Sequence, residues 1–409
     1  MERLRLVAFQ AIGQMAIVLA MPFLTRMFTP SELGWYQLAF TFGLIIQPLA
    51  TLRAEFTIPS EGEDSRVSHS VSIALLASSL TVTILTFLAI ILFLADRHTW
   101  ALTAVMTAII SLAYSITVLD NSTMVRDQHI GGLTIRNLLS GLLTGILQVG
   151  LGYVFREVIW LAIAILLGRL IAISVARSNT LSYVSRKALR TEEVFTSRMM
   201  QGISSGFVAS LNSQGTMLIV QPVLGSAAAG FVGVANRATQ APLGLISQAL
   251  SQSVQATIGN SVRSQDADLL SKVNQQIKSM LPYALVATFG LLIGGPILAE
   301  PIFGAGWNMT GTVIAILAVP AGFQLLVGPI MPVYYMVAAE SRLLRVQILR
   351  IVLSFAGAGI GYVISPTLVP VVTGYAIGTT IGYLFSYLDL KNFLTRQEES
   401  QPFDVQEQG

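Results

Sequence analysis

The sequence predicts an all-α, polytopic membrane protein of about twelve transmembrane helices in two six-helix halves. Composition is the first observation behind this. The 409 residues are 53% hydrophobic and only 11% charged, with a mean hydropathy of +0.69, whereas a soluble domain carries about 25% charged residues. The second is that the apolar residues fall into runs near the ~20 needed to cross a bilayer. The third is that the basic residues gather in alternate loops.

On that ruler the spans fall at 5–25, 35–55, 69–94, 99–119, 133–154, 157–177, 201–221, 227–257, 279–299, 309–336, 343–364 and 367–389. The breaks carry turn or charge signals, among them "FTPSELG", "EGEDSRVS", "VRDQHIGG", "VRSQDAD" and "FGAGWN". The opening run "AFQAIGQMAIVLAMPFL" exceeds the ~7–15 apolar residues of a secretory signal, and reads as the first span. With an even count both termini share one side, and the positive-inside rule makes it the cytoplasm. That side collects Arg3, Arg5, Arg53, Arg66, Arg126, Arg136, Arg177, Arg186, Lys187, Arg190, Arg198, Arg263, Lys272, Lys278, Arg342, Arg345, Arg350, Lys391 and Arg396. Only Arg26, Arg97 and Arg156 face outward. A shift of one span would destroy this asymmetry.

The longest inner loop, Arg177–Arg198, falls near mid-chain and divides the sequence into lobes at 1–190 and 191–390, with a polar, unstructured cytoplasmic tail at 391–409. A faint repeat agrees: "SELGWYQLAF" after the first span echoes "SAAAGFVGVAN" after the seventh, with Gly34 matching Gly230 and Ala39 matching Ala235. Paired halves are a feature of transporters.

Arginine at mid-membrane costs about 2.5–3.5 kcal/mol and usually faces water or a partner. Arg237 in "VANRATQ" and Arg169 in "LLGRLIA" lie inside spans, and Arg53 in "TLRAEF" lies near the inner end of the second. At helical spacing Arg237, Gln240, Gln248, Ser251 and Gln255 share one face, and Pro242 in their midst kinks that helix, as Pro48 does the second. This stripe reads as the wall of a water-filled cavity, against the plainer reading of an arginine capping a neighbouring helix or reaching the headgroups. Arg169 sits two turns from the inner end, where cavity and snorkelling readings compete. Arg53 with Glu55 is either a structural pair or a gate, with Glu55 a coupling candidate, and Arg26 is either interfacial or part of the cavity charge. Gln10 and Gln14 in the first span, and Gln201, Ser205 and Asn212 in the seventh, extend the polar lining. Each alone reads as an interhelical hydrogen bond.

Arginines in place of mid-membrane carboxylates suit phosphate, so the implied cargo is anionic. The sequence carries no Walker motif, catalytic triad or dinucleotide fingerprint. It has no cysteine, and its three histidines are scattered. Neither an enzyme nor a cofactor, metal or nucleic-acid partner is indicated.

Two segments carry a resemblance. "LTRMFTPSELGWYQLAF", continuing to "ATLRAEFTIPS", resembles the start of polysaccharide-biosynthesis flippases of the multidrug/oligosaccharidyl-lipid/polysaccharide (MOP) superfamily, through Arg26, Pro30, Glu32, Gly34, Arg53, Glu55, Ile58 and Pro59. Ala54 stands where members usually have tyrosine. "ANRATQAPLGLISQAL" resembles their eighth helix, whose arginine belongs to a cationic cavity, a role carried to Arg237 alone. Twelve spans favour the O-antigen and exopolysaccharide (Wzx-type) branch over the lipid II branch.

The resemblance implies two pseudo-symmetric lobes around a central cavity, as in multidrug (MATE) transporters. It also implies a bacterial inner-membrane location and a polyprenyl-pyrophosphate-linked oligosaccharide moved to the outer leaflet. The lipid tail would remain among membrane lipids, and the glutamines and serines of the eighth span would meet sugar hydroxyls. Polysaccharide polymerase and glycosyltransferases are the implied protein partners. A cation-coupled multidrug exporter and a non-transporting scaffold for assembly enzymes are the alternatives.

Overall fold

The computed structural model describes residues 2–184, 197–263, 269–337 and 339–400, which form helices, turns and no strand. Twelve long helices appear among them: α1 Glu2–Met27, α2 Pro30–Ala50, α3 Asp64–Leu94, α4 His98–Arg126, α5 Ile130–Phe155, α6 Ile159–Val175, α7 Ser197–Leu224, α8 Ser226–Arg263, α9 Leu269–Phe303, α10 Asn308–Val327, α11 Glu340–Ile364 and α12 Leu368–Ser400. Each expected span finds its helix. Seven are long and apolar enough to cross a membrane by length and composition. Leu80, Ile84, Phe87, Ile91 and Leu94 of α3 lie exposed at alternating spacings of four and three, an apolar stripe suited to acyl chains rather than water.

Several boundaries differ from expectation, and three of them have a clear local reason. The second helix begins at Pro30 rather than residue 35, because "TPSE" is a start signal. The Thr29 side chain accepts from the Glu32 amide at 3.3 Å, and the Glu32 carboxylate accepts from the Thr29 amide at 2.8 Å, a capping box with proline in the first turn. The same helix stops at Ala50, five residues early, because Leu52 and Arg53 adopt left-handed φ values of 51° and 58° that no α-helix continues. At the C-terminus, α12 runs through Ser400, where an unstructured tail is expected from residue 391. Leu390 and Leu394, one turn apart and almost wholly buried, hold that stretch against its neighbours. Residues 401–409 lie outside the described residues. The tenth helix also ends sooner, at Val327, and the chain continues to Met336 in short turns at Gly328–Ile330 and Val333–Met336.

The chain divides into two compact units, Met1–Ala241 with Glu300–Trp307, and Pro242–Ala299 with Asn308–Gly409. The division falls inside α8, at Pro242. The lobe boundary expected at 190/191 lies outside the described residues.

In the first unit, α2 and α8 cross backbone to backbone. A Cβ on Gly34 would collide with the Ser226 carbonyl, and a Cβ on Gly230 with the Pro30 carbonyl. The contact is reciprocal under the offset of the sequence repeat, since Gly34 matches Gly230 and Pro30 matches Ser226. The two copies therefore meet as an isologous pair, pinned by Ser31 and Ser226 hydroxyls 2.5 Å apart. Small residues permit such approach where lipid offers no hydrophobic drive to association. Gly230→Val is expected to cost at least about 3 kcal/mol, beyond ordinary overpacking because backbone must move, read as a lower melting temperature in detergent. An unchanged melting curve would contradict this crossing.

In the second unit, Val254, Ile258, Met280, Ile330, Val333, Tyr334, Leu343, Leu390 and Leu394 form the main core. Gly357 of α11 and Gly374 of α12 allow another close crossing, each lacking room for a Cβ beside the other's carbonyl.

Candidate substrate-binding cavity

Within the first unit α1, α2, α4, α5, α6, α7 and the first part of α8 enclose a cavity of about 270 Å³. Its polar lining comprises Gln14, Gln37, Tyr114, Thr144, Gln148, Arg169, Ser213, Gln214, Asn236, Arg237 and Gln240, and no carboxylate contributes among the described residues. Arg237 and Arg169, 68 residues apart in sequence, thus share one chamber.

Three rings hold the two arginines. Tyr36 and Phe40, one turn apart on α2, lie 4.8 and 4.4 Å from the Arg237 guanidinium carbon, measured to ring centroids. Phe40 packs edge-on to Tyr114 of α4 at 5.7 Å, and Tyr114 lies 3.8 Å beneath the guanidinium of Arg169. A desolvated cation on a ring gains about 2 kcal/mol or more, which offsets much of the insertion cost without neutralising the charge. Arg237 also donates to the Tyr36 hydroxyl at 3.0 Å, and Gln148 donates to the same oxygen at 2.7 Å. Neither arginine has a carboxylate within ion-pair distance among the described residues.

Five lining residues carry a buried polar atom without a hydrogen-bond partner: Nε of Arg169 and Arg237, Oε1 of Gln37 and Gln148, and Oγ1 of Thr144. Buried polar groups are normally satisfied, so this concentration sets the chamber apart from an ordinary helix interface. Two ring-held arginines make the chamber positive.

The other expected site residues take different places. Arg26 donates to the Pro22, Ile302 and Pro301 carbonyls at 2.6, 2.7 and 3.1 Å. It caps the C-terminal end of α9, where a cation meets unpaired carbonyls, and the indole of Trp307 donates to Thr25 O at 2.9 Å beside it. Arg53 pairs with Glu55 at 3.2 Å, Thr51 donates to the other oxygen of Glu55 at 3.0 Å, and the Arg53 guanidinium packs over Gly206 of α7. That pair braces the turn after α2 and lies outside the cavity lining.

Gln14 and Gln240 line the chamber, but Gln10 and Asn212 do not. Asn212 donates to its own helix at Val208. The side chains of Gln201 and Ser205 lie outside the described residues. Gln248, Ser251 and Gln255 belong to the second unit and line a separate cavity there, so the expected single stripe is divided at Pro242. Pro48 sits two residues before the end of α2.

Tyr36, Phe40, Tyr114 and Gln148 are absent from the sequence-derived set. Tyr36 and Phe40 lie inside the quoted "GWYQLAF", at a spacing of four, yet nothing local distinguishes rings beneath an arginine from ordinary core aromatics.

The family model for "Polysaccharide biosynthesis protein" matches residues 23–312, most of the chain and both quoted segments. The chain belongs to the polysaccharide biosynthesis protein family. Its fold is that of the MOP superfamily. An inward-facing multidrug resistance MATE family transporter superposes with a TM-score of 0.68 at 14% identity, over 98% of this chain and 96% of that one. The lipid II flippase MurJ in an inward closed conformation gives 0.70 at 14%, over 95% and 87%. A MOP superfamily transporter from Pyrococcus furiosus, described as having a binding pocket of reverse polarity, gives 0.60 at 15%, over 96% and 95%. No curated protein sequence matches. At these identities the neighbours establish the fold of this polysaccharide biosynthesis protein, a multi-pass membrane transporter fold, and leave the cargo to be read from the chamber.

Proposed function

We propose that this protein flips a polyprenyl (undecaprenyl) pyrophosphate-linked oligosaccharide from the cytoplasmic to the outer leaflet for surface-polysaccharide assembly, by alternating access between two six-helix lobes. One observation carries the reading: a chamber with two arginines, no carboxylate and several unpartnered polar atoms. Arg237 and Arg169 bind the pyrophosphate, whose oxygens suit guanidinium geometry. The rings beneath hold the guanidinium planes before cargo arrives, so less conformational entropy is lost on binding.

The membership of a polysaccharide biosynthesis family and the likeness to a lipid II flippase support the cargo class. The sequence's basic inner loops support cytoplasmic termini in a bacterial inner membrane. With no nucleotide-binding motif, transport draws on an ion gradient, the membrane potential or consumption of the product. Polymerase and glycosyltransferases that act on that product are the partners it implies.

The likeness to MATE transporters favours one other reading, a cation-coupled drug exporter, which the positive chamber opposes. Purified protein in liposomes separates them. Wild type is expected to move undecaprenyl-pyrophosphoryl oligosaccharide between leaflets and to leave a cationic dye in place. Gradient-driven dye efflux without lipid movement would overturn the flippase reading.

A further inference from the structure

The second unit contains its own polar cavity, of about 590 Å³, with a different chemistry. Its polar side chains are Ser247, Gln248, Ser251 and Gln255 of α8, Gln324 of α10, Arg350 of α11 and Tyr383 of α12. No carboxylate lines it among the described residues. Arg350 is fixed with its guanidinium carbon 4.4 Å over the Tyr383 ring, and its stem lies where a Cβ on the neighbouring Gly382 would collide. Gln255 donates to Ser251 at 3.1 Å.

An amide presents both a donor and acceptors, matching the dual character of a hydroxyl, while guanidinium presents five donors. Three amides, two serines and one ring-mounted arginine from four helices thus gather in one cavity of a membrane bundle, where such polar side chains are otherwise sparse. The absence of carboxylates disfavours a cation. One arginine lines this cavity against two in the smaller chamber of the first unit, so its positive charge is half as great in about twice the volume.

We propose that this cavity is a saccharide-recognition site, in which Gln248, Gln255 and Gln324 pair with sugar hydroxyls and Arg350 donates to hydroxyl or carboxylate oxygens of the glycan. The cargo class rests on the flippase reading above; the assignment of Arg350, Gln324 and Tyr383 to the sugar rests on this cavity alone.

The test uses full-length protein in lipid nanodiscs and two probes: sugar-free undecaprenyl pyrophosphate, and free oligosaccharide released from the host's lipid-linked pool. Gln248→Leu combined with Gln255→Leu is expected to weaken oligosaccharide binding at least tenfold and to leave undecaprenyl pyrophosphate within twofold. Gly244→Phe is expected to do the same. Gly244 lines the cavity and a Cβ there meets nothing within 4 Å, so a side chain can start there, and a ring takes up cavity space. Loss of both probes together, no loss of either, or no oligosaccharide binding by wild type overturns the proposal. Arg237→Ala is measured alongside: if it leaves undecaprenyl pyrophosphate binding intact, the flippase reading fails while the sugar site is still decided by the oligosaccharide probe.

Discussion

On the proposed flippase function, Arg237→Ala is expected to lower leaflet transfer at least a hundredfold while leaving the protein folded. Among the described residues the guanidinium pairs with no carboxylate and is held by two rings and one phenol, so its removal strands no buried countercharge. Tyr36 keeps its bond from Gln148. What disappears is one of two positive charges in a chamber of about 270 Å³, where charge-assisted bonds to phosphate are roughly twice as strong as neutral ones. Arg237→Lys keeps the charge but loses the planar fork, and is expected to fall between wild type and alanine. Arg169→Ala should weaken transport in the same direction. The measurement is leaflet transfer in liposomes, with melting temperature as the fold control. Full activity in Arg237→Ala at an unchanged melting temperature would remove the chamber from the mechanism.

Arg136→Leu is expected to act on stability, through the loss of a buried ion pair. Its side chain is 2% exposed, and it sits 3.5 Å from Asp120, an ion-pair rather than hydrogen-bond distance. It donates to Thr117 O at 3.0 Å, to Asn121 at 2.8 Å and to Asn137 at 2.6 Å. Asp120 accepts from Thr180 at 2.9 Å, and Thr180 and Thr123 hydroxyls lie 2.6 Å apart. The pair thus ties α4, α5 and the Thr180–Tyr183 turn together. Removing one member of a buried pair leaves a charge uncompensated, at about 3–5 kcal/mol, whereas replacing both with apolar residues is often neutral. Arg136→Leu is therefore expected to melt much lower than wild type, and Arg136→Leu with Asp120→Leu to recover most of the loss. Additive losses in the double variant would show that the two charges do not stabilise one another.

Much of this architecture is legible in the residues. The twelve helices follow from runs of apolar side chains, because a span in hydrocarbon must satisfy its own backbone whatever its neighbours are. The α2 start is equally local once "TPSE" is read as a cap rather than a break. Arg237, Arg169, Gln14 and Gln240 can be picked out because polar groups in such runs are expensive. Their grouping is another matter. Arg136, which charge placement alone assigns to the inner loops, is among the largest fully buried side chains of the described residues. Arg26, a candidate for cavity charge, instead closes the end of a helix 276 residues away.

The amino-acid sequence alone determines that this chain is a helical membrane protein, where its spans lie, and that the interior charge is positive. Those are sums over neighbouring residues, set by what each side chain costs to transfer into lipid. The tertiary structure decides that Arg169 and Arg237 share one chamber, on rings that pack against one another, that Gln248 and Gln255 line a different cavity, and that Arg53 belongs to a brace. Those outcomes depend on which helices cross and how closely. Distant glycines such as Gly34 and Gly230 govern that approach, and helical spacing cannot reveal which backbone each will meet.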